Sequence, residues 1–337
     1  MGPCYRNPGV IILNLREFYE RIAGFMAVKT EIENVAIIGA GALGGAYASI
    51  FYAMDKRCVS FIAAGDRYER LRREGVVVNG KLCSIPVFRP EDPLPPADLV
   101  IVAVKQQQLS EAIGDMKMRV GPQTTILSVM NGIDSEKAIG AAYGEKKVLY
   151  AVAVGIDGVR AGNRVDFRQQ GRIIFGEAAN PTVSVRVRRV QDFFNRAGII
   201  YETPLDMIRI LWWKFMINIG INQASAVLRA PYGVFQPPGE ARELMESAMR
   251  EVLLLAGKEN VLLSEGDLDA WGVVLAGLNP AGKTYMLQDV EAGRKTEVEM
   301  FAGKVIELGA RHGIPTPVNQ RLFQMIREIE AAAGYSH

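Results

Sequence analysis

Five short, almost uninterrupted apolar runs punctuate the first half of the chain, at residues 34–38, 57–63, 98–104, 124–130 and 148–154. Continuous apolarity over four to seven residues is what a strand needs when both faces of a parallel sheet are covered. Between the runs lie segments of helical period and length at 42–54, 67–74 and 106–118. Residues 76–88 alternate instead, around Asn79-Gly80, a strong hairpin signal. The stretch PEDPLPP at 90–96 reads as a loop, because proline cannot donate to a ladder. A second hairpin is expected over 163–176, around Gly171, then a helix over 183–197 and a short strand from 198 to 202. After Thr203-Pro204 the texture changes. Residues 207–228, 240–257, 265–277 and 284–309 all carry helical period, with no buried strand among them. The pattern predicts an α/β domain over 33–203, an all-α domain over 204–337 and an N-terminal extension over 1–32.

Composition narrows the functions. The 337 residues are 49% hydrophobic and 23% charged, too apolar for a disordered chain. A formal net charge of +2 offers no basic excess for nucleic acid. The 3 cysteines, Cys4, Cys58 and Cys83, form no CxxC pair, which argues against a disulfide framework or a zinc site and for a reducing, cytoplasmic setting. Only 2 histidines exist, His312 and His337, so a histidine metal cluster or a mid-chain histidine acid is nearly excluded. A proton donor would then be Lys, Tyr, Asp or Glu.

Residues 35–54 carry no charge and are long enough to span a bilayer. The βαβ pattern downstream favours a buried strand, a glycine turn and a buried helix instead. The first 25 residues make a poor signal peptide, and Met26 is an alternative start.

The first strand runs into Gly39-Ala40-Gly41-Ala42-Leu43-Gly44. This is G-x-G-x-x-G with a strand before it, a helix after it and a second strand about 20 residues on, the setting of a Rossmann dinucleotide site. Gly39 permits the tight turn, Gly41 lets a pyrophosphate approach the backbone, and Gly44 lets helix and strand pack closely. The helix N-terminus then offers free N–H groups and a partial positive charge. The second strand ends Ala63-Ala64-Gly65, without the carboxylate that accepts from the ribose of NAD. That leans toward NADP. Arg67 is either a partner for the 2′-phosphate or an ordinary solvated residue.

The segment LWWKFMINIGI at 211–221 is apolar on nearly every side, as a buried helix would be. Lys214, Asn218 and Asn222 fall at i, i+4 and i+8, one line along one face. Burying an amine and two amides without partners costs several kcal/mol each. The line either faces a cleft, where a desolvated lysine makes a general acid, or is a solvated stripe with Lys214 snorkelling out. The charges over 283–299 read as ordinary helix-face solvation.

Taken together, the motifs resemble the ketopantoate reductase (2-dehydropantoate 2-reductase) family. The matches are GAGALG at 39–44, AVK with Gln108 at 103–108, MNG at 130–132, WKxxxNxxxN at 213–222 and MLQDVEAGRKTEVE at 286–299, spanning about residues 34–330. The resemblance implies NADPH-dependent reduction of 2-dehydropantoate to pantoate, in pantothenate biosynthesis. It implies Lys214 as the general acid and Glu297 near both the cofactor and that lysine. It implies Lys105 and Asn131 along the cofactor, with Asn131, Asn218 and Asn222 at the substrate, in a cleft between the two domains.

Three positions depart from the family pattern. Tyr285, with Thr284 before it, stands where a substrate-contacting serine is usual, and Tyr232 where some members have a further asparagine. Ala64 stands where many have an arginine for the 2′-phosphate. The first two leave the exact 2-keto acid open and the third leaves the strictness of NADP preference open. A related dehydrogenase of another keto or hydroxy acid, or a non-catalytic NADP-binding sensor, are the rival readings. The apolar helices after residue 240 either form a homodimer face or join the core. No metal, membrane or nucleic-acid partner is expected.

Overall fold

The five apolar runs become the centre of one sheet. The computed structural model describes residues 30–334. Most of the expected N-terminal extension, Met26, Cys4 and His337 lie outside the described residues. In chain order the strands are β1 (Val35–Ile38), β2 (Val59–Ile62), β3 (Val76–Val78), β4 (Lys81–Cys83), β5 (Val87–Phe88), β6 (Leu99–Val102), β7 (Thr125–Ser128) and β8 (Val148–Ile156). They continue as β9 (Val159–Ala161), β10 (Arg164–Asp166), β11 (Gln170–Gly176) and β12 (Tyr201–Glu202). The main sheet has eight strands in the order β12-β11-β8-β7-β6-β1-β2-β5, parallel except between β8 and β11. Every residue of β1, β2, β6 and β7 is buried, which is why these strands read as unbroken apolar runs.

Helices α1 (Ala42–Met54), α2 (Gly65–Glu74), α3 (Leu109–Asp115), α4 (Ser135–Tyr143) and α5 (Val185–Ala197) belong to this half. Strand order reverses around β1, whose neighbours are β2 and β6, so a crevice opens at their C-terminal ends. A small sheet, β4-β3-β10-β9, packs over α1. Gly45 permits that approach, since a Cβ there would lie 3.0 Å from Val165 Cγ2.

The helical half comprises α6 (Met207–Leu228), α7 (Glu240–Lys258), α8 (Glu265–Ala276), α9 (Tyr285–Glu291), α10 (Lys304–His312) and α11 (Pro317–Ala332). The Asp206 side chain caps α6 by accepting from Arg209 N at 2.9 Å. The long α6 is buried nearly all round, with Phe215, Met216 and Ile219 in a core shared with Met245 and Met249 of α7. Gly220 brings the two helices together, because a Cβ there would sit 2.5 Å from Met249 Cγ. Among the described residues no helix is long and apolar enough to cross a membrane; residues 35–54 form β1, the glycine turn and α1.

Several elements differ from the sequence reading. The 163–176 hairpin around Gly171 does not form. The turn lies at Gly162-Asn163 between β9 and β10, while β11 pairs with β8. Gly171 instead has a φ of +61 on β11, and a Cβ there would meet Val154 O at 2.2 Å. The helix expected over 106–118 is only α3, with single 3₁₀ turns at Gln106–Gln108 and Lys117–Arg119. The single helix expected over 284–309 is broken. It leaves α9 at Glu291, turns at Gly293 with a φ of +59, and re-enters through a π turn at Glu299–Gly303 before α10. Helices α4 and α11 had no counterpart in the pattern reading.

Candidate active site

The crevice at the end of β1 deepens into a cleft of about 800 Å³ between the two halves. Its floor is the glycine turn. Gly39 has a φ of +107, and a Cβ there would lie 2.4 Å from Ala103 O. A Cβ on Gly44 would lie 1.9 Å from Gly39 O, so glycine is required for α1 to leave the strand so closely. Gly41 is different: a Cβ there would meet the protein only at 3.9 Å, so its missing side chain opens space toward the cleft. Gly41 caps α1 with no side-chain cap and no acid follows in the first turn. The first N–H groups of α1 thus remain available to an anion. Gly39, Ala40, Gly41, Ala42 and Leu43 all line the cleft, with Gly44 packed behind them. This cradle fits a dinucleotide pyrophosphate.

The opposite wall comes from the helical half and carries the polar stripe of α6. Lys214 lines the cleft, with no carboxylate within 4 Å among the described residues. Burial brings its pKa down to about 8. Asn218 and Asn222 are 5% and 4% exposed and lie behind the wall. Asn222 Nδ2 donates to Asn218 Oδ1 at 3.1 Å, and Asn218 Nδ2 donates to Asn131 Oδ1 at 3.5 Å, the long end of a hydrogen bond. The stripe is therefore not solvated.

Asn131 follows β7 and lies beside the Glu297 carboxylate, whose proton affinity it lowers, as does the Gln106 backbone. Glu297 lines the cleft, and its pKa is raised, by burial first and by Asp289 as well, against the lowering pull of Lys105. Three side chains thus run in series, Asn131, Asn218 and Asn222, with Glu297 beside the first. Glu297 sits in the non-helical step before the π turn. That step is tied down from α11: Thr296 N and Oγ1 both donate to Glu330 Oε1 at 2.7 Å. Thr296 and Glu330 are 0% and 2% exposed, so these bonds lie out of water.

Lys105, just past β6, bonds Asp289 of α9 at 3.1 Å, and Asp289 also takes Arg294 Nε at 2.8 Å. The charges of 283–299 are therefore not simply solvated: Asp289 is 8% exposed and joins the two halves across the cleft. No local pattern could reveal a bond spanning 184 residues. Tyr285 lines the cleft, and its hydroxyl donates to Ile156 O at 3.0 Å, a strut between α9 and β8. Thr284 is 2% exposed and caps α9, accepting from Leu287 N and donating to Ser225 Oγ, both at 3.1 Å. Tyr232 lies off the cleft wall, with its ring against Gly282, and burial pushes its phenol up to about 12. Arg67 reaches the cleft from the first turn of α2, where Glu111 holds it in an ion pair. His312 ends α10 and bonds Glu259 at 2.6 Å, away from the cleft.

An anion cradle under one wall and a lone lysine with lowered proton affinity on the other suit a reaction in which charge moves between a dinucleotide and a small carbonyl compound. The class is that of the nicotinamide-dependent oxidoreductases with a Rossmann half and a helical half. Comparison with known families narrows it: the chain belongs to the ketopantoate reductase family. Residues 35–180 match the family model described as ketopantoate reductase PanE/ApbA, and residues 206–330 match its C-terminal counterpart.

Curated relatives named 2-dehydropantoate 2-reductase include one from Aquifex aeolicus, 25% identical over 300 residues, covering 87% of this chain and 96% of its own. Another, from Archaeoglobus fulgidus, is 28% identical over 307 residues, covering 89% and 99%. A solved 2-dehydropantoate 2-reductase from Geobacter metallireducens superposes with a TM-score of 0.77 at 28% identity, covering 88% of this chain and 99% of that one. D-mandelate dehydrogenase, solved with NADH and anilino(oxo)acetate, shares the fold at a TM-score of 0.81 and 18% identity, over 90% of this chain and 100% of that one.

Proposed function

We propose that the protein reduces a 2-keto acid with NADPH, and that the acid is 2-dehydropantoate, giving pantoate. One observation carries the reading. Lys214 stands without an acidic partner among the described residues on the cleft wall facing the glycine cradle, with its pKa brought down to about 8 by burial.

When bound, the nicotinamide supplies a hydride to the keto carbon. The chain's own residues supply the rest. The glycine turn and the start of α1 hold the pyrophosphate, and Lys105, Asn131 and Glu297 flank the nicotinamide end. Lys214 Nζ holds the proton that the ketone oxygen must gain. As that oxygen becomes negative, the ammonium stabilises it and then transfers the proton, leaving a neutral amine to be reprotonated from solvent. The balance is one hydride and one proton added across the C=O bond. Asn218 and Asn222 lie behind the wall and hold Asn131 in orientation through their amide bonds, so the amide presented to the substrate's polar groups is that of Asn131. Glu297 lies beside Asn131. Tyr285 narrows the substrate end.

The test follows NADPH at its absorbance: its oxidation with 2-dehydropantoate and a panel of other 2-keto acids, and its formation from NADP+ with 3-hydroxy acids and glycerol phosphate. Turnover with 2-dehydropantoate above all others is the expected result. Cofactor binding with no turnover on any compound would overturn the reading in favour of a sensor.

A further inference from the structure

A dinucleotide lying on the glycine cradle puts its adenosine ribose at the tip of the second strand. Here that tip is bare: Ile62 and Ala63 line the cleft, and Ala64 follows, without a donor or acceptor among their side chains. The nearest cation in sequence, Arg67, is already neutralised by Glu111 of α3, and Asp115 lies on the same side. Two other cations face the same end. Arg70 comes from the next turn of α2, and Arg160 from β9, which passes over the start of α1 so that Gly158 approaches Ala42.

Neither is paired with an acid among the described residues. Arg70 makes no hydrogen bond there, and Arg160 uses only Nε, donating to Gly162 O at 2.8 Å. That bond orients the guanidinium and leaves its two terminal nitrogens free to point elsewhere. The two arginines also feel each other: burial first, and then Arg70, holds Arg160 below its ordinary proton affinity. Two like charges set side by side at the wall of a cleft without a counter-ion are a cost that a doubly charged anion removes.

We propose that Arg70 and Arg160 form a two-guanidinium clamp for the 2′-phosphate of NADP, and so set the preference of this chain for NADPH over NADH. The pyrophosphate is not their ligand, because the glycine turn and the open N-terminus of α1 already supply its donors. Apart from Arg67, which Glu111 already holds, the 2′-phosphate meets no other cation among the described residues at a tip whose side chains are apolar. The planar fork of a guanidinium suits a phosphate, and two forks from α2 and β9 approach it from separate elements. The clamp rests on the reading of the cleft as an NADP site.

Direct binding tests it. Dissociation constants for NADPH and NADH, read from quenching of tryptophan fluorescence, are measured for the wild type, Arg70→Ala, Arg160→Ala and the double variant. Each single change is expected to weaken NADPH about 10-fold and the double about 100-fold, as loss of charge-assisted phosphate bonds does, with NADH affinity held within about twofold. Retained NADH binding also shows that the variants are folded. Equal weakening of both dinucleotides would overturn the clamp and place the arginines on the shared pyrophosphate. Unchanged NADPH affinity would overturn it by making them solvated surface groups. If the wild type itself bound neither dinucleotide, the NADP reading would fall, and the clamp with it.

Discussion

The two halves of this molecule build their share of the cleft by opposite means. The Rossmann half uses six consecutive residues, Gly39 to Gly44, whose work is done by backbone and by missing side chains. The helical half uses side chains gathered from afar: Lys214 on α6, backed by the buried Asn218 and Asn222, Tyr285 on α9 and Glu297 beyond it. A site made of backbone is local and is written as a motif. A site made of side chains needs a packed core to bring it together. The first is lost by adding atoms, and the second by removing them.

Four experiments sharpen the contrast, in falling order of effect. Lys214→Ala should lower kcat by about 10²–10⁴, the range for a missing general acid, while the dissociation constant for NADPH stays within a factor of a few. An equal loss in cofactor binding would break the division of labour. Gly39→Val should do the reverse. It forces a branched side chain into a φ of +107 and a 2.4 Å contact with Ala103 O. A cost of about 3–5 kcal/mol in stability or NADPH binding is expected, read by thermal melting and by titration. A normal melt and normal affinity would refute that account of the turn.

Glu330→Ala strips the buried acceptor from Thr296 N and Oγ1. Two buried donors left unsatisfied should cost about 2–4 kcal/mol. Because Thr296 adjoins Glu297, kcat/KM should fall with the melting temperature while NADH and NADPH still bind. A stable variant with full activity would show that Glu297 needs no such tie. The smallest effect is the pH profile. Lys214 falls from lysine's ordinary 10.5 to about 8 in the folded chain. Reduction should therefore lose up to about tenfold per pH unit above 8, as the ammonium disappears. Over that same window the unfolded chain binds the extra proton, so this group makes stability rise with pH while activity falls. A rate that stayed flat to pH 10 would exclude Lys214 as the proton source.

The same contrast governs what the sequence reveals. Helix α1 occupies residues 42–54 and α6 occupies residues 207–228, the spans that periodicity predicts, because each is a single apolar unit with a clear start. The strands are legible for a similar reason, as is the Asn79-Gly80 turn, where Asn79 takes a φ of +47. The segment after α9 is not legible, because helical period persists through Gly293 and the π turn while the backbone departs from it. That departure is imposed by Glu330, a partner 34 residues away. Helix α11 had a readable signal, Pro317 at its first position after Thr316. At the site, the glycine turn and the Lys-Asn-Asn line stand out in one dimension. The bonds of Lys105 to Asp289 and of Asn131 to Asn218 do not, since their meaning exists only after folding.

The tie between Thr296 and Glu330 has a consequence for a chain still leaving the ribosome. Domains generally fold as they emerge, N-terminal first. The dinucleotide half, with its cradle, is complete once β12 has been made, about three-fifths of the way along. The carboxylate of Glu297 is anchored only after residue 330 has been synthesised and α11 has docked. Over roughly the last third of its synthesis the nascent protein can therefore grip a dinucleotide before it can use one. A chain cut short before residue 330 is expected to be a binder with an unfinished catalytic wall.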